Sequence, residues 1–242
     1  VLLPGQGGGR EVLRRPLDFG QAKAAYMGLN IATVTSCYND YWELFGAQWL
    51  DTVAACDPQP VQVILVTDAP RDAPDWVTQI PCDDRHMGMM LNEGVKHVTT
   101  EWVHHHGIDD LLAEDAYSDV ETAADVISFP HLYGGSMSGL AQYQGGFETM
   151  WQMRNNPMLG GFFHRTQVLR DIPYRRYGWC DEAHFCEMSY FHKSLHVTDR
   201  PRSIWIRHPR AHSISSNAAY QDEVNAFKGR LAAGLIQMGV PE

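Results

Sequence analysis

The chain has 242 residues, with 19 Lys and Arg against 29 Asp and Glu, a formal net charge of −10. That length supports one α/β domain with a sizeable core, or at most two small ones. The acidic balance argues against a nucleic-acid partner, because neutralising a phosphate backbone needs clustered Lys and Arg. No run of about 18 apolar residues occurs, so no transmembrane segment is expected. Val1–Asn30 lacks the apolar stretch and small-residue cleavage pattern of a secretory signal, and a soluble, cytoplasmic protein is the expectation. The five cysteines are odd in number, scattered and without a CxxC pair, which fits buried apolar residues better than a disulfide framework or a thiolate zinc site.

Residues 1–28, with the flexible Gly5-Gln-Gly-Gly-Gly9, read as an N-terminal extension or arm, and residues 29–242 as a single domain. Ile31-Ala-Thr-Val-Thr-Ser36 is β-branched and apolar, the mark of a buried strand. Cys37-Tyr-Asn-Asp40 supplies turn and N-cap chemistry. Trp42, Phe45, Trp49, Val53 and Cys56 recur at helical spacing, and Asp57-Pro-Gln-Pro60 ends that helix. Val61–Val66 is the next strand and runs into Thr67-Asp68. Residues 86–100 read as a helix, Glu101–His104 as a strand, Leu111–Asp119 as a helix and Ala124–Phe129 as a strand. Residues 134–156 read as a long loop of the kind that often carries function. A strand at Gly160–Phe163, helices near Arg165–Asp171 and Asp181–His192, and a strand at Ser203–Arg207 precede a His-containing loop and a C-terminal helix. The grammar is α/β, and ligands of such folds bind at the carboxyl ends of the strands.

Candidate chemistry collects at those ends. Tyr38-Asn39 closes the first strand and Asp68 the second, where a carboxylate can accept a hydrogen bond from a base or ribose or can simply form a turn. Asp109-Asp110 follows the third strand. Paired carboxylates suit a hard cation such as Mg²⁺ or Mn²⁺ that keeps positions open for diphosphate oxygens, and either Asp could also cap a helix starting at Leu111. His104-His-His106 invites a zinc reading, but adjacent side chains on a strand alternate faces, so all three cannot converge on one ion. Asp181-Glu182 could serve as a general base or as a solvated helix start. His208 and His212, beside Arg207 and Arg210, offer imidazoles for a metal and guanidinium groups for phosphate oxygens.

In this order the motifs resemble the inverting family 2 glycosyltransferases of GT-A fold. Ile31–Asn39 is similar to the family's opening strand V-S-V-I-I-P-T-Y-N, and Val63–Asp68 to its second strand, which ends in paired Asp. Leu91–Val95 with Thr100–Val103 looks like its N-x-G…G-E-W lead-in, and His106-Gly-Ile-Asp-Asp-Leu-Leu112 falls where it has L-D-A-D-D-L-L. Pro157–Arg165 resembles its acceptor-side strand, Tyr177–Glu182 stands at its E-D motif, and Arg207–Ser215 is similar to its terminal R-x-H-P-G-S-x-S. The resemblance runs from about residue 30 to 216.

It implies a mixed central sheet flanked by helices, in a domain spanning residues 29–242. The implied activity is metal-assisted transfer of a hexosyl or related sugar, with inversion, from a nucleotide diphosphate donor such as a UDP-sugar. The acceptor would be a hydroxyl on a glycan, a protein or a small molecule. Ser36, Tyr38, Asn39 and Asp68 would meet the nucleoside, and Arg85, Asn92, Ile108, Gly160 and Gly161 would complete the nucleotide-sugar site. Asp109 would contact Mn²⁺ or Mg²⁺, joined by His208 or His212. Glu182, with Asp181 beside it, would be the catalytic base. The chain departs from the family at three places: Gly107 replaces the first Asp of the DxD motif, Thr67 replaces the first Asp after strand two, and the E-D pair is inverted. A sugar-nucleotide-binding protein without activity and a metallohydrolase are the alternatives.

Overall fold

A computed structural model describes residues 29–120, 122–133, 136–138, 161–176 and 191–204, with the single positions 184, 187, 188 and 226. Its chain order is β1 (Ile31–Cys37), α1 (Tyr41–Ala54), β2 (Gln62–Thr67), β3 (Val77–Pro81), α2 (Met87–Lys96), β4 (Trp102–His105) and β5 (Leu111–Leu112). There follow β6 (Val126–Phe129), β7 (His131–Tyr133), β8 (Ser136–Ser138), β9 (Gly161–Arg165), α3 (Thr166–Asp171), β10 (Leu195–Val197) and β11 (Ser203–Ile204). Seven strands form the main sheet in the order β10-β6-β9-β4-β1-β2-β3, and β5-β11-β7-β8 form a second, smaller sheet. In the main sheet only β9 runs antiparallel to its neighbours. The expected mixed sheet with flanking helices is therefore present.

β1 lies at the heart of this arrangement because its side chains are apolar on both faces. Ile31 and Cys37 point with Val63 and Leu65 into a cluster that includes Trp49 and Val53 of α1. Ala32 and Val34 point the other way, with Ile64 and Val66, against Met90, Leu91 and Val95 of α2. Parallel strands covered on both faces have this uniform apolar character. α2 sits very close to the sheet at Gly94, where a Cβ would fall 2.5 Å from Val34 and 2.8 Å from Val66. Any side chain there must push the helix off the sheet.

Four sequence expectations need correction. α2 stops at Lys96 rather than continuing to residue 100, because Gln62 terminates it. Its amide donates to the His97 carbonyl at 2.9 Å and its carbonyl accepts from the Thr99 N–H at 3.0 Å. Residues 111–119 are not a helix. The Leu112 N–H donates to Thr52 Oγ1 at 2.8 Å and the Ala113 N–H to the Arg202 carbonyl at 2.9 Å, so backbone donors leave the local chain and β5 pairs with β11. Asp109 and Asp110 consequently cap no helix. β3, β7, β8 and β10 are additional strands, β8 inside the 134–156 stretch expected to be loop; the short Val77–Pro81 run of β3 ends in proline, which only an edge strand tolerates. Asp40 occupies the N-cap position of α1, but its side chain makes no capping hydrogen bond. The arm at 1–28, most of the 134–156 loop and the C-terminal helix lie outside the described residues.

One buried relay joins α1 to the functional edge. The Trp49 indole donates to Thr35 Oγ1 at 3.1 Å, and that hydroxyl donates to the His106 carbonyl at 2.8 Å. Thr35 is fully buried. Substituting Thr35→Val keeps the shape but strands both partners, and should lower the unfolding free energy by about 1–3 kcal/mol in urea titration. Unchanged stability would show that the relay carries no weight.

Candidate active site at the carboxyl edge

β1, β2 and β4 run parallel, so their carboxyl ends open on one edge. Beyond β1 the chain turns at Asn39, which holds a left-handed φ of 56°, a conformation Asn accepts more readily than most residues. Beyond β2 stands Asp68, its carboxylate largely buried. Asp68 Oδ2 accepts from the Asn39 N–H at 3.3 Å and from Arg85 Nε at 3.0 Å, and its Oδ1 accepts from Arg71 Nη2 at 2.7 Å. Arg71 was not expected from the sequence. The signal was present, since a cation three residues after a turn carboxylate is placed to fold back onto it. Tyr38 is half-buried against the α2-side cluster, with its ring 6.0 Å from that of Tyr41. Ser36 is half-buried near the end of β1, beside Val66 of β2.

His104 and His105 in β4 and His106 just after it alternate as strand geometry requires. His104 is buried among Tyr117, Phe129 and Phe163, and the ring of His106 lies 5.5 Å from that of His104. His105 faces the opposite way and shares a 2.7 Å hydrogen bond between Nδ1 and the Tyr174 hydroxyl. The chain then makes a turn in which the Asp110 N–H donates to the Gly107 carbonyl at 3.2 Å. Ile108 anchors this turn by burying its side chain in the α1-side core. Asp109 and Asp110 are half-exposed. A Cβ added at Gly107 would lie 3.0 Å from Asp110 Oδ2 and 3.1 Å from Asp109 Oδ1, so both carboxylates close over the glycine. A third carboxylate at 107 would enter that space against two like charges.

In the sheet β1 lies between β2 and β4, so Asp68 and the 107–110 turn leave the sheet on either side of the end of β1. Gly161, at the start of β9, pairs with Phe129 on the same edge, where a Cβ would come within 2.2 Å of the phenyl ring. Asn92 behaves differently: its amide donates to the Tyr174 carbonyl at 2.7 Å and accepts from the Tyr174 N–H at 2.8 Å. It thus ties α2 to the segment after α3. Gly160, Asp181, Glu182, His208 and His212 lie outside the described residues. Among those that are described, no group of three or more His, Cys, Asp and Glu side chains could hold a metal ion, and no helix is long and apolar enough to cross a membrane. Asp109 and Asp110 stand side by side in the turn and offer carboxylate oxygens, the ligand type that hard divalent ions take.

No protein-family model matches the sequence, and no curated protein matches it either. Solved structures do. S. aureus TarS 1–349 in complex with UDP-GlcNAc superposes with a TM-score of 0.60 at 15% identity, over 84% of this chain and 67% of that one. Mannosyl-3-phosphoglycerate synthase from Rubrobacter xylanophilus gives 0.57 at 13% identity, over 88% and 79%. The mannosyltransferase PcManGT from Pyrobaculum calidifontis, in complex with GDP-Man and Mn²⁺, gives 0.54 at 14% identity, over 77% and 59%. The fold is that of the GT-A glycosyltransferases. In another TarS 1–349 structure the chain matches 60% of the length.

On the face of the sheet opposite His104, His105 belongs to a second group of histidines. His164 of β9 is buried with neither ring nitrogen hydrogen-bonded. Its ring lies 5.9 Å from His105 and 5.4 Å from His184, and His184 Nε2 donates to the Ile172 carbonyl at 2.8 Å. Burial pushes all three imidazoles down from their ordinary 6.5, His105 to about 3 and His184 to about 4, with neighbouring histidines adding to the effect for His105 and His164. They are therefore neutral in the folded protein. As pH falls below 6.5 the unfolded chain takes up protons that the folded one refuses, so stability declines, by up to about 1.4 kcal/mol per pH unit for each histidine. His164→Leu removes one such group without breaking a hydrogen bond. It should leave stability at pH 7 nearly unchanged and flatten the decline between pH 6.5 and 4; an unaltered slope in denaturant titrations would contradict this origin.

Proposed function

We propose that the chain transfers a sugar from a nucleotide diphosphate donor, a UDP-sugar first among them, to an acceptor hydroxyl with inversion and with help from a divalent cation. The observation that supports this reading is the strand order β4-β1-β2, which brings out a polar group, Asp68 with Asn39 and Arg85, on one side of the end of β1 and a carboxylate pair, Asp109 with Asp110, on the other. That arrangement suits a nucleoside at one end and a metal-bridged diphosphate at the other.

In this reading Ser36, Tyr38, Asn39 and Asp68 receive the nucleoside, and the exposed guanidinium of Arg85 reaches toward phosphate oxygens. Asp109, with Asp110 beside it, would hold Mn²⁺ or Mg²⁺, and His208 or His212 would complete the shell. The cation's contribution when bound is to offset the diphosphate charge and favour its departure. Ile108 and Asn92 support the site from beneath, one anchoring the acidic turn and the other fixing α2. Gly160 and Gly161 would complete the nucleotide-sugar site, Gly161 through its backbone, because the Phe129 ring fills the space a Cβ would take. Glu182, next to Asp181, takes the proton from the acceptor hydroxyl as its oxygen attacks the anomeric carbon. Residues 29–242 would form this transferase domain, with residues 1–28 an N-terminal extension or arm and the cytoplasm as its setting.

A second reading, nucleotide-sugar binding without transfer, is favoured by Gly107, which contributes no carboxylate where the resembling family has one. The two readings separate experimentally. Asp109→Ala and Glu182→Ala should each reduce sugar transfer by about 10²–10⁴-fold, with unchanged circular dichroism. Full activity in both variants would overturn the transferase mechanism. Donor binding without turnover by the unmodified chain, over a broad acceptor panel, would establish the second reading.

A further inference from the structure

Arg71 is the most heavily used side chain on the described surface of this site. It sits in the loop between β2 and β3, and its side chain is only 9% exposed. Nε donates to Thr67 Oγ1 at 3.1 Å, Nη1 to Glu43 Oε1 at 3.0 Å, and Nη2 both to the Asn39 carbonyl at 3.1 Å and to Asp68 Oδ1 at 2.7 Å. Four of the five N–H donors of an arginine are thus accounted for. The loop backbone is fixed as well, because the Arg71 N–H donates to Gln79 Oε1 at 2.9 Å and its carbonyl accepts from Gln79 Nε2 at 2.9 Å. One planar cation therefore joins the end of β1, the end of β2 and the first turn of α1.

Its two faces toward Asp68 are unequal. Oδ1 is held by this buried arginine, whereas Oδ2 is met by Arg85, which is 65% exposed, and by the Asn39 N–H. A buried planar guanidinium holds a carboxylate in one orientation, while an exposed ion pair contributes little and exchanges with solvent. Thr67, standing where the resembling family carries an acid, also finds a use here. Its hydroxyl accepts from Arg71 and donates to the Ala69 carbonyl at 2.7 Å, so the buried cation meets a neutral acceptor and retains Asp68 as its buried carboxylate partner.

Resting on the proposed nucleotide-diphosphate site, we infer that Arg71 is a positioning residue for nucleoside recognition. It pins Oδ1 so that Oδ2 faces the pocket, and an N–H or O–H donor of the nucleoside takes the place of the exposed Arg85 there. Arg71 acts on the nucleoside end alone; it has no part in holding the diphosphate.

The test compares two ligands by calorimetry in Mn²⁺: the nucleoside diphosphate that the chain binds most tightly, UDP tried first, and inorganic pyrophosphate. Arg71→Lys keeps the charge but loses the fork, and should weaken the nucleoside diphosphate about tenfold while leaving pyrophosphate unchanged. In transfer assays the donor KM should rise with kcat preserved. Glu43→Gln loosens only the exposed end of the fork and should give a smaller change in the same direction, which keeps the inference open to test if Arg71→Lys does not fold. In an Asp68→Asn background Arg71→Lys should have little further effect, because both act through one carboxylate. Equal loss of both ligands, or no selective loss in either variant, would overturn the positioning role. Failure of the unmodified chain to bind any nucleoside diphosphate would overturn the site reading itself, and this inference with it.

Discussion

The parallel pairing of β1 with β2 on one side and β4 on the other is the constraint on which the rest of the structure depends. A strand buried on both faces has its register fixed, because a one-residue slip would exchange the residues meeting α1 with those meeting α2. Ile31 opposite Trp102 and Cys37 opposite Thr67 record that register at the two ends of the strand. Once it is set, Asn39, Asp68 and the 107–110 turn have no choice but to emerge together. The Trp49–Thr35–His106 relay then ties the acidic turn to the helix that packs beneath it.

Charge is distributed unevenly along that edge. Around Asp68 two guanidinium groups and two carboxylates compensate one another, and the resulting network is partly buried and preorganised. At the other end two carboxylates converge over a glycine. The first group suits polar recognition of a neutral ring system, and the second suits a cation. A diphosphate lying between them would meet opposite requirements at its two ends, which gives the donor a direction in the site.

Much of this was legible from the chain itself. The β-branched run 31–36, the helical spacing from Trp42 to Val53 and the strand into Asp68 all translate directly, because each is a local pattern repeated over several residues. The alternation of His104, His105 and His106 followed from strand geometry alone. What could not be read depended on partners distant in sequence. Leu111–Leu112 has helical composition but pairs with residues some 90 positions away, and Thr52 supplies its hydrogen bonds. Gln62 ends α2 from another element, and the role of Arg71 arises from four acceptors, three of them on neighbouring elements or turns. Asn92 shows the converse: a residue placed in the site by resemblance has both ends of its amide engaged with Tyr174. The carboxylates at 181 and 182 and the histidines at 208 and 212 rest on sequence alone.

The claim that a nucleotide and a divalent cation share the carboxyl edge is tested most directly by thermal unfolding in the presence of nucleoside diphosphates and nucleotide sugars, each with and without Mn²⁺. Ligand binding to the folded state raises the unfolding temperature in proportion to the logarithm of saturation. A shared site requires that one nucleotide stabilise the chain strongly only when Mn²⁺ is present, and that Asp109→Ala abolish the dependence. Stabilisation by no nucleotide under either condition, or by one nucleotide equally with and without the metal, would contradict it.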